Sequence, residues 1–252
     1  MAEAGSSGSV AAAGEFYNAD FYRDRHAQTR HAAEAVLGVA LSGMPEIGSA
    51  VDFGCGVGTW LEVLRDKGVG EVFGLEGDWL DRSLLRIPGE CFANADLTEP
   101  VDLGRRFDLA MTLEVAEHLP PEKAEVFVGS LVRHADIVMF SAAVPNQGGV
   151  NHLNEQSPEY WAGLFAAHGY RMFDYVRWRV WGDSSIPPWY RQNVFVYASE
   201  SRAAEVEERV GNLEPVGMPM SVISPDLLAL RVNQKRGVKA SARQLLRAIR
   251  GG

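Results

Sequence analysis

Cysteine is nearly missing from this chain: of 252 residues only Cys55 and Cys91 carry a thiol, and they form no C-x-x-C spacing. That excludes a disulfide framework and a thiolate zinc cluster. Long hydrophobic runs are missing as well. No stretch approaches the ~18 apolar residues of a membrane span, and no basic region followed by an apolar one stands at the N-terminus. Neither a transmembrane segment nor a secretory signal is expected, and the default compartment is cytoplasmic. Positive charge is in deficit, with 24 Lys and Arg against 33 Asp and Glu and a net charge of −9. This argues against a nucleic-acid partner and favours small neutral or cationic substrates.

What the chain does have is apolar content, 46% of its residues, enough for one full core and most simply one domain. Residues 1–14 are Ala, Gly and Ser with little else, and are expected to be a disordered tail. Residues 15–199 read as the folded domain. Residues 200–252 read as a charged C-terminal extension: 200–210 is helix-like, 214–225 is rich in Pro, Gly and Ser, and from Arg231 onward seven Lys or Arg occur without an acid. Leu245, Leu246 and Ile249 would give that basic tail one apolar face, suited to its own domain, a second subunit or an anionic surface.

Within the domain, Ala32, Ala33, Val36, Leu37 and Ala40 mark a helix over 30–41, approached by Phe16, Tyr17, Phe21 and Tyr22, and this reads as an N-terminal lid. Strand-like and helix-like segments then alternate, which predicts an α/β fold with a mostly parallel sheet covered on both faces. Strands are expected near 50–53, 71–75, 91–94, 107–112 and 136–141. Two more, near 170–177 and 193–198, flank a Pro- and Trp-rich loop and suit a closing antiparallel pair.

The organising stretch is Val51-Asp52-Phe53-Gly54-Cys55-Gly56-Val57-Gly58-Thr59, a strand running into a glycine loop and then into the apolar-periodic Trp60-Leu61-Glu62-Val63-Leu64. Three glycines in five positions let backbone approach a ligand, and the amides at the start of the helix face it. Thr59 stands where a dinucleotide-binding G-x-G-x-x-G needs Gly or Ala. Glu76 ends the second strand 22 residues beyond Gly54, near the ~20 expected of a ribose-binding carboxylate. Asp96-Leu97 follows the third strand, and Leu113-Glu114-Val115-Ala116-Glu117-His118 follows the fourth.

These motifs, in this order over about Phe16 to Ala198, resemble those of the class I S-adenosylmethionine-dependent methyltransferases. Within that class the stretch 148–156 is similar to small glycan and sugar O-methyltransferases of actinobacterial type. The resemblance implies a Rossmann-like sheet of seven strands in the order 3-2-1-4-5-7-6, the seventh antiparallel, and S-adenosyl-L-methionine as cofactor. It places Asp52 at the amino-acid end of that cofactor, with Gly54, Cys55, Gly56 and Gly58 packed against it. Glu76 and Gly77 then stand at the ribose, Asp96 and Leu97 at the adenine, and Leu113 and Glu114 along the pocket wall.

The acceptor is expected beyond the fifth strand, at the carboxyl edge where α/β sheets bind ligands. Asn146, Asn151 and Asn154 line that loop. Trp189, Tyr190, Arg191 and Gln192 combine aromatic and polar groups as a carbohydrate site does, although a homodimer interface also favours such residues. An alcohol acceptor must lose a proton, and His152 or His118 is placed to take it. Glu114, Glu117 and Glu155 add the option of a divalent ion, Mg²⁺ if its ligands are all oxygen. The leading expectation is therefore an O-methyltransferase acting on a sugar or glycoside, a small molecule or an oligosaccharide such as a mannoside in polysaccharide biosynthesis. Its alternatives are a small-molecule N- or C-methyltransferase of natural-product metabolism and a non-catalytic cofactor-binding subunit.

Overall fold

The computed structural model describes residues 19–211 and 220–231, with side chains from Gln28 onward. The 1–14 tail, the aromatic approach at 16–22 and the basic tail beyond Arg231 lie outside the described residues or side chains. A first helix, α1 (Ala19–Ser42), precedes β1 (Ser49–Phe53), α2 (Thr59–Asp66), β2 (Glu71–Glu76), β3 (Phe92–Asn94) and β4 (Leu109–Leu113). There follow α3 (Ala124–His134), β5 (Ile137–Ser141), α4 (Pro158–Ala167), β6 (Tyr170–Phe173), α5 (Val176–Val180), α6 (Pro188–Asn193), β7 (Phe195–Ser199) and α7 (Glu200–Val210). A last helix, α8, covers 225–231.

The strands form one sheet in the order β3-β2-β1-β4-β5-β7-β6. All neighbours are parallel except β7, which runs antiparallel to both β5 and β6. Alternation along the strands divides the core. Ala50, Met111, Met139 and Val196 join the cluster under α1, α2 and α5. Val51, Phe53, Ala110, Phe140 and Phe195 join the cluster under α3 and α4 on the other face. Strands buried on both faces read as nearly continuous apolar runs, which is why they were visible in the sequence.

The stretch between β6 and β7 differs from expectation. It is not a loop but two short helices, with strand β6 ending at Phe173. Pro188 begins α6 at a position where a missing N–H costs nothing, so the proline pair that read as a loop is a helix start. Ser157 likewise has extended N-cap dihedrals before Pro158, but its hydroxyl makes no cap hydrogen bond.

Helix α1 buries Ala32, Ala33, Val36, Leu37 and Ala40 completely. Arg30 reaches across to Glu62 at 2.9 Å and Asp66 at 2.6 Å, tying α1 to the helix that follows the glycine loop. Helix α7 buries Ala203, Val206 and Val210 in the same core cluster, and Arg177 donates to the Met220 carbonyl at 2.9 Å. Both segments therefore pack on the sheet. No helix among the described residues is long and apolar enough to cross a membrane.

Strand order reverses between β1 and β4, and ligands of open α/β sheets bind at the carboxyl ends of the strands at such a reversal.

Candidate functional site

The half of the site expected to hold the cofactor is built largely from backbone. Gly54, Gly56 and Gly58 all hold positive φ, at 84°, 53° and 83°. The Gly54 and Cys55 amides donate to the Leu75 carbonyl at 2.8 and 3.0 Å, which folds the loop over the end of β2. A Cβ on Gly54 would stand 2.6 Å from Val115, so both conformation and space require glycine there.

Glu76 closes this loop from below. Its carboxylate accepts from the Gly56 amide and the Gly77 amide, each at 2.9 Å and each through a different oxygen. Those bonds use half of its acceptor capacity and aim the remainder outward. Asp52 lies beside it, 2% exposed, and no group among the described residues hydrogen-bonds its carboxyl. Burial and the charge of Glu76 push its pKa up to about 8. Burial also raises Glu76 itself, partly offset by the two amides. Cys55 is buried, its thiol pushed well up by burial, and it contributes backbone, not nucleophilicity.

Asp96 is exposed and spends one oxygen on the amide and hydroxyl of Thr98, at 2.9 and 2.7 Å. It caps its own turn, with the second oxygen left over. Leu97 is buried in the core cluster beneath.

The other half is a side-chain network. Glu114 has φ 55°, and its amide donates to both the carbonyl and the hydroxyl of Ser141 at 3.0 Å. Its carboxylate accepts from Gln147 at 2.8 Å and Asn193 at 3.0 Å, and these two amides also bond each other at 2.8 Å. Burial raises its pKa against those bonds. Gln147 lies in the expected substrate loop and Asn193 at the end of the expected aromatic and polar cluster, but their joint contact with Glu114 was not expected. Tyr190 packs edge-on against Trp60 at 5.1 Å, and the charges of Glu114 and Asp52 both act on it, which places it between the two halves. Leu113 is buried at the end of β4.

Beyond Glu114, a short turn presents Glu117 and His118. Glu117 is 1% exposed, and its Oε2 has no hydrogen-bond partner among the described residues. Burial first, and the charge of Glu114 second, push its pKa well up. The loop after β5 docks here, because the Leu153 and Asn154 amides both donate to the Glu117 carbonyl, at 2.7 and 3.0 Å. Docking brings the His152 ring to 4.9 Å from the His118 ring, edge to face. His152 Nδ1 bonds Glu155 Oε1 at 2.8 Å, and the Gly148 amide bonds the same oxygen. His118 is pushed down to about 4, first by burial and then by His152, while the Asn151 carbonyl partly offsets this as a bond acceptor. The two predicted histidines, 34 residues apart in sequence with β5 between them, thus lie together beside Glu117.

Asn146 and Asn151 are exposed and hold positive φ, 66° and 57°. Together with Glu114 they are the only non-glycine residues among those described with this conformation, and all three flank the site. Such strain collects where a loop is over-determined by its surroundings. Asn154 is buried, with Oδ1 bonded to Gln156 at 2.9 Å and Nδ2 unpartnered. Trp189 is half-buried beside Tyr190.

Two expected substrate residues are turned to the fold instead. Arg191 donates to the carbonyls of Ile186 and Trp181 at 2.8 and 2.9 Å and to Asp226 at 2.6 Å. Gln192, 1% exposed, bonds Asn193 and the Ser224 amide. Each satisfies groups left over by the turns around α5, α6 and α8, and buried polar groups must find such partners. Of the three acids expected to hold an ion, Glu114 and Glu155 are already engaged, and only Glu117 leaves a buried carboxylate oxygen open.

Residues 23–134 match the family model described as a methyltransferase domain. Over that span the chain is similar to methyltransferase domains, and its sheet has the class I strand order. S-adenosylmethionine is the cofactor of that class. Solved structures similar to this chain include DesVI of Streptomyces venezuelae, at 17% identity, TM-score 0.53, covering 71% of this chain and 95% of that one. The sugar N-methyltransferase KedS8 from Streptoalloteichus matches at 17% identity and TM-score 0.56, over 71% of this chain and 92% of its own. Magnesium protoporphyrin IX methyltransferase from Synechocystis, solved with bound cofactor, matches at 17% and 0.56 over 79% and 100%. At these identities the likeness shows the fold. No curated protein matches the sequence significantly.

Proposed function

We propose that this methyltransferase transfers the methyl group of S-adenosylmethionine to a hydroxyl of a sugar or glycoside, in the cytosol, as an O-methyltransferase. The observation that carries the acceptor class is the Glu155–His152 pair, an imidazole oriented by a carboxylate at the end of β5. An amine acceptor attacks as its free base, whereas a hydroxyl must give up its proton as the bond forms.

The residues present fit the cofactor. Asp52 is a buried carboxyl without a hydrogen-bond partner among the described residues, and an ammonium group beside it would supply the missing compensation. Glu76 has two acceptor positions left for a vicinal diol. Asp96 retains one oxygen for an exocyclic amine. The cofactor, when bound, supplies an electrophilic methyl group whose bonding pair returns to sulfur.

The chain's own residues do the rest. The glycine loop and Glu76 hold position, which supplies the alignment an in-line displacement needs. Glu155 accepts the Nδ1 proton of His152, which fixes the tautomer and leaves Nε2 as the basic nitrogen. In the step, the acceptor oxygen's lone pair forms the new C–O bond, and its proton passes to His152 Nε2. Trp189 and Tyr190 offer flat apolar faces to a sugar ring, and Asn146 and Asn151 offer amides at its rim.

The test is a panel of sugars, glycosides and amino sugars with isotopically labelled cofactor. Label on hydroxyl oxygen is the expected result. Label only on amines would replace this reading with N-methylation, the activity named for KedS8. Cofactor binding without transfer to any acceptor would make the chain an accessory cofactor-binding subunit.

A further inference from the structure

Glu117, His118 and His152 each offer one ligand atom, and those atoms all lie within 4.8 Å of one another. We propose that they form a site for a single divalent transition-metal ion, bound by two imidazoles and a carboxylate with further positions open to an acceptor oxygen. Donors around a zinc-like ion at ~2.1 Å sit about 3–3.4 Å apart, so the cluster closes by side-chain adjustments of about 1–2 Å.

Three observations beyond proximity point to a ligand. Glu117 Oε2, on a residue 1% exposed, has no hydrogen-bond partner among the described residues, and a buried polar atom left so costs free energy until a partner fills it. His152 has Nδ1 committed to Glu155, so Nε2 is its only available donor. His118 donates a ring N–H to the Asn151 carbonyl and offers one ring nitrogen to the cluster. A ligating histidine that gives its second nitrogen to a carboxylate or carbonyl is the usual support for a protein-bound metal.

The ligand set also selects the ion. Mg²⁺ prefers oxygen ligands, whereas two imidazoles and one carboxylate with open positions suit Zn²⁺, Fe²⁺, Mn²⁺ or Co²⁺. The Mg²⁺ expected from three glutamates therefore gives way to a transition metal. Binding of the ion stands apart from the enzyme's activity. Its use rests on the methyl-transfer reading: an acceptor hydroxyl on the open positions would have its pKa lowered. With the ion bound, that proton would leave to water, because the one Nε2 lone pair of His152 cannot both hold the ion and take the proton; this route is the alternative to proton transfer to His152. Atoms and electrons of the transfer are otherwise unchanged.

The experiment titrates the metal-stripped full-length protein with Co²⁺, following visible d–d absorption, and then measures turnover with and without a chelator. One Co²⁺ per chain is expected. Glu117→Gln and His152→Ala should abolish the bands, and Glu155→Gln should weaken affinity by about 10- to 100-fold. Calorimetric binding of S-adenosylhomocysteine, unchanged in these variants, shows that they are folded. No Co²⁺ bound by the wild type, or equal binding by Glu117→Gln and His152→Ala, overturns the site. Metal binding without methyl transfer to any acceptor keeps the site and removes the O-methyltransferase reading. Chelator-resistant methyl transfer by a protein that binds no Co²⁺ does the reverse.

Discussion

The two halves of the site are built differently. Around β1, β2 and β3 the ligand surface is backbone, held by three left-handed glycines and by amides bonded to Glu76 and Leu75. Around β4, β5 and β7 it is side chains, with Glu114, Gln147 and Asn193 in one network and Glu117, His118, His152 and Glu155 in another. Backbone recognition hardly depends on side-chain identity and so serves a ligand that never changes. Side-chain networks can be rewritten without moving the sheet, and on the proposed reading this is the half that would set which acceptor is used.

The comparison can be broken at several points. Glu76→Ala removes a charged acceptor that holds two loop amides and, on the proposed reading, binds the ribose. It should weaken cofactor binding by about 2–3 kcal/mol, or about 30- to 150-fold, by calorimetry. Undiminished affinity would take Glu76 out of the pocket and leave the loop self-supporting.

Asp52 gives a pH signature. Its folded pKa, about 8, is raised above its ordinary value, so in the empty protein its contribution to stability is full below about pH 4 and is lost as pH rises through 8. A cationic ligand reverses the preference by requiring the ionised form. Cofactor affinity should therefore fall by about tenfold per unit as pH drops below 8, with a proton released on binding. Calorimetry in buffers of different ionisation enthalpy reads that proton, and buffer-independent heats would show Asp52 to be ionised already.

The smallest effect is expected in the side-chain half. Asn193→Ala removes one bond to Glu114 and one to Gln147, costing about 1–3 kcal/mol of stability in thermal unfolding. Cofactor affinity should change by less than in Glu76→Ala. A loss as large as that of Glu76→Ala would mean that the two halves are not separable.

The same contrast explains what could be read from sequence. Val51 to Thr59 and Glu76 lie within one β-α-β unit, so their spacing carries their geometry. The seven strands were legible because burial on both faces makes them apolar throughout. Asn193 is 79 residues from Glu114, and no local pattern reports their contact. Arg191 and Gln192 misled for the same reason, since the carbonyls and amides they satisfy come from distant turns. The two histidines were found because each follows a strand end, but their shared orientation toward Glu117 depends on the loop at 149–155 folding back. The strained φ of Glu114 leaves no mark in the sequence at all, since a glutamate there advertises no left-handed turn.

The most direct test of the division between halves is one variant measured two ways. His152→Ala should bind S-adenosylmethionine with wild-type affinity by calorimetry, while its turnover with a hydroxyl acceptor falls by about 10²-fold or more. A variant that loses affinity and turnover together, or that keeps both, would contradict the account.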